Sequence, residues 1–577
     1  MESRIDLEQL RHSTAHVMAQ AVGELYPETK FGIGPAIEDG FYYDFDSPHT
    51  FTPQDLAKIE KRMRKIMQRR APFERTVVDN ATARELMKDQ DYKLELIDEL
   101  DADEDISIYA NGSFTDLCRG PHVEDAGALG QFKLTKVAGA YWKGDSDRPM
   151  LQRIYGTAWE TKEELQDYLE RLEEAEKRDH RKLGRELDLF SFHEEAGSGL
   201  PLYHPKGARI MRLLQDWLRA ALIERGYVET ITPHVYKSDV WKKSGHWDNY
   251  KENMYFFEVN DGDEKNPKVN EYGIKPMNCP GHLMVYADNL HSYRDLPIRM
   301  FEFGTVYRHE LSGVVHGLMR ARSFTQDDAH IFCSADQVAD EVNQMLDLVD
   351  YVMTTFGFTY TAELSTRPKK SMGTDETWEF TTGILKDTLD KRGIPYEINE
   401  GDGAFYGPKI DIHLKDAIGR TWQCSTIQFD ALMPEKFDLE YRTADNTVAR
   451  PYMLHRAILG SMERFLGILI EHYAGAFPTW LAPVQATLVP ISDEQVEGAQ
   501  AVADQLRKEG VRVEVDASTE RMGAKIAKAT AQKVPYMLII GKNEIEEGVV
   551  SVRHRTEGDI GTMTATKFIE LIDSQNP

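Results

Sequence analysis

The sequence predicts a multidomain α+β protein: an N-terminal α/β unit, a central domain built on an antiparallel sheet, and a small C-terminal α/β domain. Three observations carry this. The chain has 577 residues, and at about 150 residues per domain that suggests roughly four domains. "RMFEFGTVYRHE" (299–310) and "GRTWQCSTIQFDA" (419–431) alternate as antiparallel strands do. After "FPTWLAPVQ" (477–485), strand-like segments at 486–491, 511–516, 536–541 and 548–554 alternate with helical ones near 493–509 and 519–532. That pattern predicts mostly parallel strands.

Residues 1–24 read as a helix, with Leu7, Leu10, Val17, Ala21 and Leu25 at helical spacing. "KFGIGPAIEDGFYYDFD" (30–46) reads as strands joined by tight turns. Residues 52–70 form an amphipathic helix with Asp55 near its start and a basic end, as the helix dipole favours. These elements define a first domain, 1–160. Residues 161–190 are a charged, solvated helical connector whose basic stretch 177–185 is a candidate RNA contact. The central domain spans 191–480 and the last 481–577.

The hydrophobic fraction is 41% and the charged fraction 29%, as in ordinary globular chains. No apolar run reaches the ~18 residues that span a bilayer, and the N-terminus carries no apolar signal segment. Four cysteines are no disulfide framework, so the expected location is the cytoplasm. A formal net charge of −27 argues against indiscriminate nucleic-acid binding while permitting a local basic patch.

"KPMNCPGHLMVYA" (275–287) sets Cys279 against Pro280. Proline restricts the preceding residue toward extended geometry, so the thiol is aimed, as a metal ligand needs to be. By spacing alone, Cys279-x-x-His282 and His330-x-x-Cys333 fit a closed Cys2His2 zinc site, and a buried structural cysteine also fits. Arg308 and Glu310 read as one face of a strand, followed by Arg320, Gln326, Asp328 and His330. "LHRAILGSMERFLGILIEHY" (454–473) reads as a helix carrying Gly460, Glu463 and Arg464. Two arginines from different elements suit a polyphosphate. Neither a P-loop nor a dinucleotide-binding glycine motif is present to explain this.

R-x-E after "FEFGTVY", with G-x-x-x-E-R on a late helix, resembles motifs 2 and 3 of class II aminoacyl-tRNA synthetases. "ERGYVETITPHV" (224–235), with Pro233, resembles their motif 1, which builds a dimer interface. "PMNCPGH", "SFTQDDAHIFC", "GAFYGPKI", "LHRAILGSMERF" and "FPTWLAPVQ", in order along essentially the whole chain, narrow the resemblance to the threonyl-tRNA synthetases. Ser323 stands where that family has glycine. Members of the common bacterial type carry a further small N-terminal domain of ubiquitin-like shape, whereas this sequence starts at the next one.

The resemblance implies an N-terminal editing domain, a class II antiparallel-sheet catalytic domain and a C-terminal anticodon-binding domain. It implies ATP-dependent activation of L-threonine, transfer to tRNA(Thr), hydrolysis of mischarged Ser-tRNA(Thr), and a homodimer. Arg308 is expected on the α-phosphate and the threonine carboxylate, Arg464 on the γ-phosphate, Arg320 on the phosphates and Glu310 at the adenine end, with Mg²⁺ on the ATP. One Zn²⁺ per subunit is expected on Cys279, His330 and His455, leaving His282 and Cys333 to packing. Met277, Gln326, Asp328, Tyr406, Gln423, Thr426 and Gln428 form the expected amino-acid pocket, with Asp328 on the substrate hydroxyl; Cys424 reads as core. An open zinc site senses a hydroxyl that an apolar pocket distinguishes by only about 10²-fold.

Serine lacks only a methyl, worth ~1–3 kcal/mol, so a second, hydrolytic sieve is needed. "HSTAH" puts His12 and His16 on one helix face, and "DLCRGPH" adds Asp116, Cys118 and His122. Residue types alone allow a zinc site or a buried polar network there. The resemblance implies a metal-independent editing site, joined by Tyr43 and Lys93, in which His12 or His16 orders the attacking water. It also places Glu544 and Arg553 on anticodon bases. Two other classes compete. A non-catalytic paralogue would have lost the motif arginines, which are present here. A zinc hydrolase on the N-terminal cluster leaves the remaining ~400 residues without a role.

Overall fold

The computed structural model describes residues 6–100, 106–145, 147–263 and 265–577. The chain divides into two compact units that part between Glu173 and Glu174.

In the first unit, α1 (Leu7–Leu25) starts on the Asp6 carboxylate, which accepts from the Glu8 N–H; such a cap is worth about 1 kcal/mol. The predicted strand cluster resolves into short pieces and β1 (Gly40–Asp46). The 52–70 helix is α2 (Pro53–Gln68), opened by a Thr52/Asp55 capping box. Then come β2 (Phe73–Val78), α3 (Asp91–Asp98), β3 (Ile106–Asn111), β4 (Phe114–Leu117), β5 (Gln131–Tyr141) and β6 (Met150–Trp159). β1 pairs with β6 and β6 with β5, all antiparallel. β2, β3 and β4 form a second antiparallel sheet. The core joins α1 and α2 to the first sheet through Leu10, Met18, Ile59, Met63, Phe41, Phe45 and Ile154.

The connector is not uniform. α4 (Lys162–Arg178) buries no residue, but α5 (His180–Glu186) buries His180, Leu183 and Gly184. Leu183, Leu187 and Phe190 belong to the core of the second unit. Two basic residues of the connector are engaged: Arg178 donates to the His472 carbonyl and Arg181 pairs with Asp179.

The second unit holds α6 (Pro205–Glu224), β7 (Val228–Glu229), α7 (Cys279–Ala287), β8 (Ile298–Tyr307) and β9 (Ser323–Cys333). β10 (Thr359–Ser365), β11 (Tyr396–Asn399), β12 (Lys409–Lys415), β13 (Thr421–Asp430), β14 (Tyr452–Ala457) and α8 (Met462–His472) follow. The eight-stranded sheet runs β7-β8-β9-β14-β13-β12-β10-β11. It is antiparallel except for the outer pairs β7·β8 and β10·β11. Packing of α6 and α8 against it buries Leu214, Leu218, Phe465 and Leu469.

Three readings are corrected here. Residues 454–473 are not one helix: Tyr452–Ala457 is a strand, Gly460 turns the chain at φ +74°, and α8 begins only after its Ser461 cap. Side chains cannot hold that φ cheaply, and a Cβ at Gly460 would stand 2.6 Å from the Cys424 carbonyl oxygen. Arg308 and Glu310 lie beyond β8, not on it; the Arg308 N–H still bonds to the Arg322 carbonyl, but the Glu310 N–H turns back onto the Arg308 carbonyl. Cys279 starts a helix in which Pro280 occupies the first turn, where no N–H is required.

The C-terminal part of the unit has β15 (Ala486–Pro490), α9 (Val496–Lys508), β16 (Val513–Val515), α10 (Met522–Ala531), β17 (Tyr536–Ile540), α11 (Lys542–Glu547), β18 (Val550–His554) and β19 (Gly558–Met563). β16, β15 and β17 are parallel, as expected, and β18 and β19 add antiparallel. β19 is absent from the sequence reading because its Gly558 and Gly561 break the strand pattern. Among the described residues no helix is long and apolar enough to cross a membrane.

Glu463 gives the fold a pH dependence. It is buried on α8, accepts from the Thr325 N–H at 2.8 Å, and burial pushes its carboxyl up to about 7. The folded state therefore binds this proton more tightly than the unfolded one. The stability it contributes is complete below about pH 4.3 and is lost as pH rises toward 7. Wild type should lose on the order of 3 kcal/mol relative to Glu463→Gln between pH 4.5 and 8. Denaturant melts of both proteins at the two pH values check this; parallel curves would contradict it.

Candidate active sites

The sheet of the second unit carries a cavity of about 560 Å³. Every residue the sequence proposed for ATP, threonine and zinc lines it: Arg308, Glu310, Arg320, Arg464, Met277, Gln326, Asp328, Tyr406, Gln423, Thr426, Gln428, Cys279, His330 and His455. Strand register explains the convergence. Gln326, Asp328 and His330 alternate onto one face of β9. His330 pairs across to His455 on β14, and His455 to Gln428 on β13. The adjoining row is Asp328, Ala457 and Thr426, in which the small Ala457 leaves room over the sheet.

Gln423 and Thr426 are three apart and would face oppositely in a regular strand. The register slips here: Ser425 pairs with Ile412 and Gln423 with His413, so Cys424 is the extra residue of a bulge. The bulge returns Gln423 to the cavity side, and Cys424 packs with the core.

Cys279, His330 and His455 are all buried and each offers a ligand atom within 4.8 Å of the others. The imidazoles are pre-aimed. His330 Nδ1 lies 2.8 Å from His282 Nδ1, leaving Nε2 toward the site. His455 Nε2 lies 3.0 Å from Asp430 Oδ2, leaving Nδ1. Such outer partners fix tautomer and orientation at metal sites. Burial holds the His330 imidazole neutral and pushes the Cys279 thiol well up, so a thiolate there requires a cation. The donor set thus fits zinc with a fourth position open to the cavity. The closed Cys279/His282/His330/Cys333 site does not form. Cys333 is three residues along β9 from His330, on the other face in the main core. His282 is not mere packing either: its Nε2 reaches Thr230 Oγ1 at 2.9 Å and Glu302 Oε2 at 3.2 Å. Sequence reasoning missed Glu302, Asp430 and Asn278; only Asn278, inside "PMNCPGH", carried a signal.

Asp328 Oδ2 accepts from Asn278 Nδ2 at 3.0 Å, and its Oδ1 is 3.7 Å from His330 Nε2. Arg320 pairs with Glu310 at 2.9 Å rather than with Asp328, and Arg322 Nε donates to the Glu310 carbonyl. Arg464 is held between two backbone carbonyls, Nε on that of Met319 (3.0 Å) and Nη1 on that of Gln423 (2.9 Å). Arg308 Nε donates to the Pro276 carbonyl at 3.2 Å, and its guanidinium lies over Phe324. Both guanidiniums are fixed in place before any phosphate arrives.

The first unit gathers the other predicted cluster. α1 supplies His12 and His16, β1 Tyr43, α3 Lys93, β4 Asp116, and the next loop Cys118 and His122. Cys118 Sγ lies 3.2 Å from His12 Nε2 and 3.3 Å from His122 Nε2. Lys93 Nζ meets Asp116 Oδ1 at 2.6 Å, and the Tyr43 hydroxyl donates to Oδ2 at 2.5 Å. His16 Nδ1 is 3.6 Å from the same oxygen. Burial pushes the Cys118 thiol up to about 12 and holds His122 down at about 2, with His12 and His16 also lowered by burial. His12, His16, Cys118 and His122 are close enough to share a metal. Without a metal, Cys118 links His12 and His122, and His122 Nδ1 is taken by the Ser13 hydroxyl at 2.9 Å.

Glu544, on α11, spends its carboxylate on the Gly541 N–H and the Ser551 hydroxyl, whereas Arg553 stands exposed on β18.

An antiparallel sheet bearing such a pair of arginines is the catalytic architecture of a class II aminoacyl-tRNA synthetase, and residues 255–473 match the tRNA synthetase class II core domain (G, H, P, S and T). Residues 485–575 match an anticodon binding domain, and 106–155 the threonyl and alanyl tRNA synthetase second additional domain. A threonine–tRNA ligase of Citrifermentans bemidjiense is 54% identical over 571 residues, covering 99% of this chain and 88% of the relative. One from Clostridium botulinum strain 657 is 55% identical over 568 residues, covering 98% and 88%. The chain belongs to the threonine–tRNA ligase family. A crystal structure of the RNA binding domain of threonyl-tRNA synthetase from Cryptosporidium parvum Iowa II superposes with a TM-score of 0.66 at 42% identity, covering 69% of this chain and 98% of that one.

Proposed function

We propose that the chain activates L-threonine with ATP in the cavity of the second unit, transfers it to tRNA(Thr), and hydrolyses Ser-tRNA(Thr) at the histidine cluster of the first. The observation that carries this is the convergence of the motif 2 and motif 3 arginines and the Cys279/His330/His455 set on one cavity. Arg308 grips the α-phosphate and the carboxylate, Arg320 and Arg464 the remaining phosphates, and Glu310 the adenine end. This charge neutralisation and alignment are most of what adenylation needs. Mg²⁺ accompanies the ATP. Cys279, His330 and His455 would hold zinc, which would supply Lewis acidity for the amine and hydroxyl of threonine. Asp328 accepts the hydroxyl proton's hydrogen bond, while Met277, Gln326, Tyr406, Gln423, Thr426 and Gln428 shape the pocket.

The division of labour follows the domains: 1–160 editing, 161–190 connector, 191–480 catalysis, 481–577 anticodon binding, with Glu544 and Arg553 on anticodon bases. A homodimer is supported by Ile223, Val228, Ile231 and Val235, apolar side chains exposed around motif 1. The free state of Cys118, Cys279, Cys333 and Cys424 supports a cytoplasmic location.

Threonine-dependent ATP–pyrophosphate exchange tests the reading, and its absence in zinc-loaded protein would refute it. For editing, neutral His12 or His16 orders the water, and the Lys93 ammonium beside Asp116 and Tyr43 steadies the developing charge. The double variant His12→Ala/His16→Ala should keep threonine exchange within about twofold while Ser-tRNA(Thr) accumulates. It should also retain its zinc. Loss of zinc together with editing would favour the alternative, a metal held by His12, His16, Cys118 and His122.

A further inference from the structure

The connector buries one histidine completely, at a place the synthetase motifs do not claim. His180, the first residue of α5, is 0% exposed. Its Nδ1 lies 2.7 Å from Glu471 Oε1, and its own backbone N–H donates to the same oxygen at 3.0 Å. Its Nε2 lies 3.1 Å from the backbone nitrogen of Leu318. A peptide N–H only donates, so Nε2 must accept and the ring proton sits on Nδ1, facing the carboxylate. Asp179, His180 and Glu471 are close enough to be mistaken for a metal set. Both ring nitrogens are already used, however, and Asp179 is turned onto Arg181 at 2.6 Å.

The contacts close a ring. Glu471 is near the C-terminal end of α8 and Arg464 near its start. Leu318, Met319 and Arg320 line the cavity, and the Met319 carbonyl accepts from Arg464 Nε at 3.0 Å. The path therefore runs from one end of α8 through Glu471, His180, Leu318 and Met319 back to the guanidinium at the other end. Arg420 Nη2, 2.6 Å from Glu471 Oε2, holds the carboxylate from a second side. Gly317 is built for this approach: its φ is +50°, and a Cβ there would stand 2.2 Å from His180 Nε2.

We propose that His180 is a positioning residue for ATP: through the Leu318 N–H it sets the 317–320 segment, and through the Met319 carbonyl the direction of Arg464. The inference rests on the ligase reading above. It assigns the connector a part in the first reaction step that its charged composition does not announce.

The test uses a pair of variants that divide the two ring nitrogens. His180→Gln can present an acceptor where Nε2 was; His180→Asn can present a donor where Nδ1 was. Pyrophosphate exchange is measured with ATP varied at saturating threonine, then with threonine varied at saturating ATP, alongside thermal unfolding. We expect His180→Asn and His180→Ala to raise the KM for ATP about tenfold with the KM for threonine within about twofold, and His180→Gln to stay near wild type. Equal KM values for ATP in the Asn and Gln variants would overturn the proposal, whatever their thermal stability. So would parallel losses for ATP and threonine in both, which would mark His180 as a packing residue only. Lack of exchange in the wild-type protein would instead fail the ligase reading.

Discussion

Cys279→Ala should purify without zinc in the second unit, and its threonine-dependent pyrophosphate exchange should fall by about 10⁴-fold. The thiol is buried, with Asp328 and Asp430 close enough to oppose its ionisation. Only a cation makes the thiolate affordable there, and only the thiolate makes the cation tight. His330 and His455 alone leave a two-ligand site, which does not retain zinc against dialysis. Zinc per chain, measured after dialysis against a chelator, should drop from one to none, while the His12→Ala/His16→Ala protein keeps it. Unchanged zinc content in Cys279→Ala would move the metal elsewhere.

The second large effect concerns Asp328. A site built around a substrate hydroxyl penalises an analogue lacking it by leaving buried polar groups unpaired, up to ~10⁴–10⁵-fold. Asp328 is placed for this, since Asn278 holds one oxygen at 3.0 Å while the nearby Arg320 pairs with Glu310. Burial pushes its carboxyl up, so the hydrogen bond to a hydroxyl also helps to keep it charged. Asp328→Ala should raise the KM for threonine steeply and change the already poor activity on valine far less. Pyrophosphate exchange with threonine, serine and valine reads this directly. A threonine-to-valine ratio equal to that of wild type would remove Asp328 from recognition.

Much of the candidate site is legible in the sequence because its motifs are long and ordered, and the strand alternation of 323–333 alone puts Gln326, Asp328 and His330 on one face. What escaped the sequence depends on long-range pairing. Residues 454–473 look helical by apolar spacing, yet β9 and β13 recruit 452–457 into the sheet, and only this pairing sets His455 beside His330. The bulge that turns Gln423 inward is invisible in composition, since Cys424 is an ordinary strand residue. The resemblance leaves His282 to packing, and its polar partners Thr230 and Glu302, which come from distant segments, carry no local signal. The charged composition of the connector reads as solvated throughout, which holds for α4; the burial of His180 on α5 involves Glu471, about 290 residues further on.

The central claim is that an open metal site, not a closed one, reads the threonine hydroxyl. Zinc-edge X-ray absorption of the dialysed protein, alone and with threonine or valine, tests it most directly. The account predicts one sulfur at about 2.3 Å and two imidazole nitrogens at about 2.0–2.1 Å, with one light ligand completing the shell. Threonine should add to or replace that light ligand, and valine should leave it as it was. Two sulfurs and two nitrogens, or a shell that threonine does not change, would contradict it.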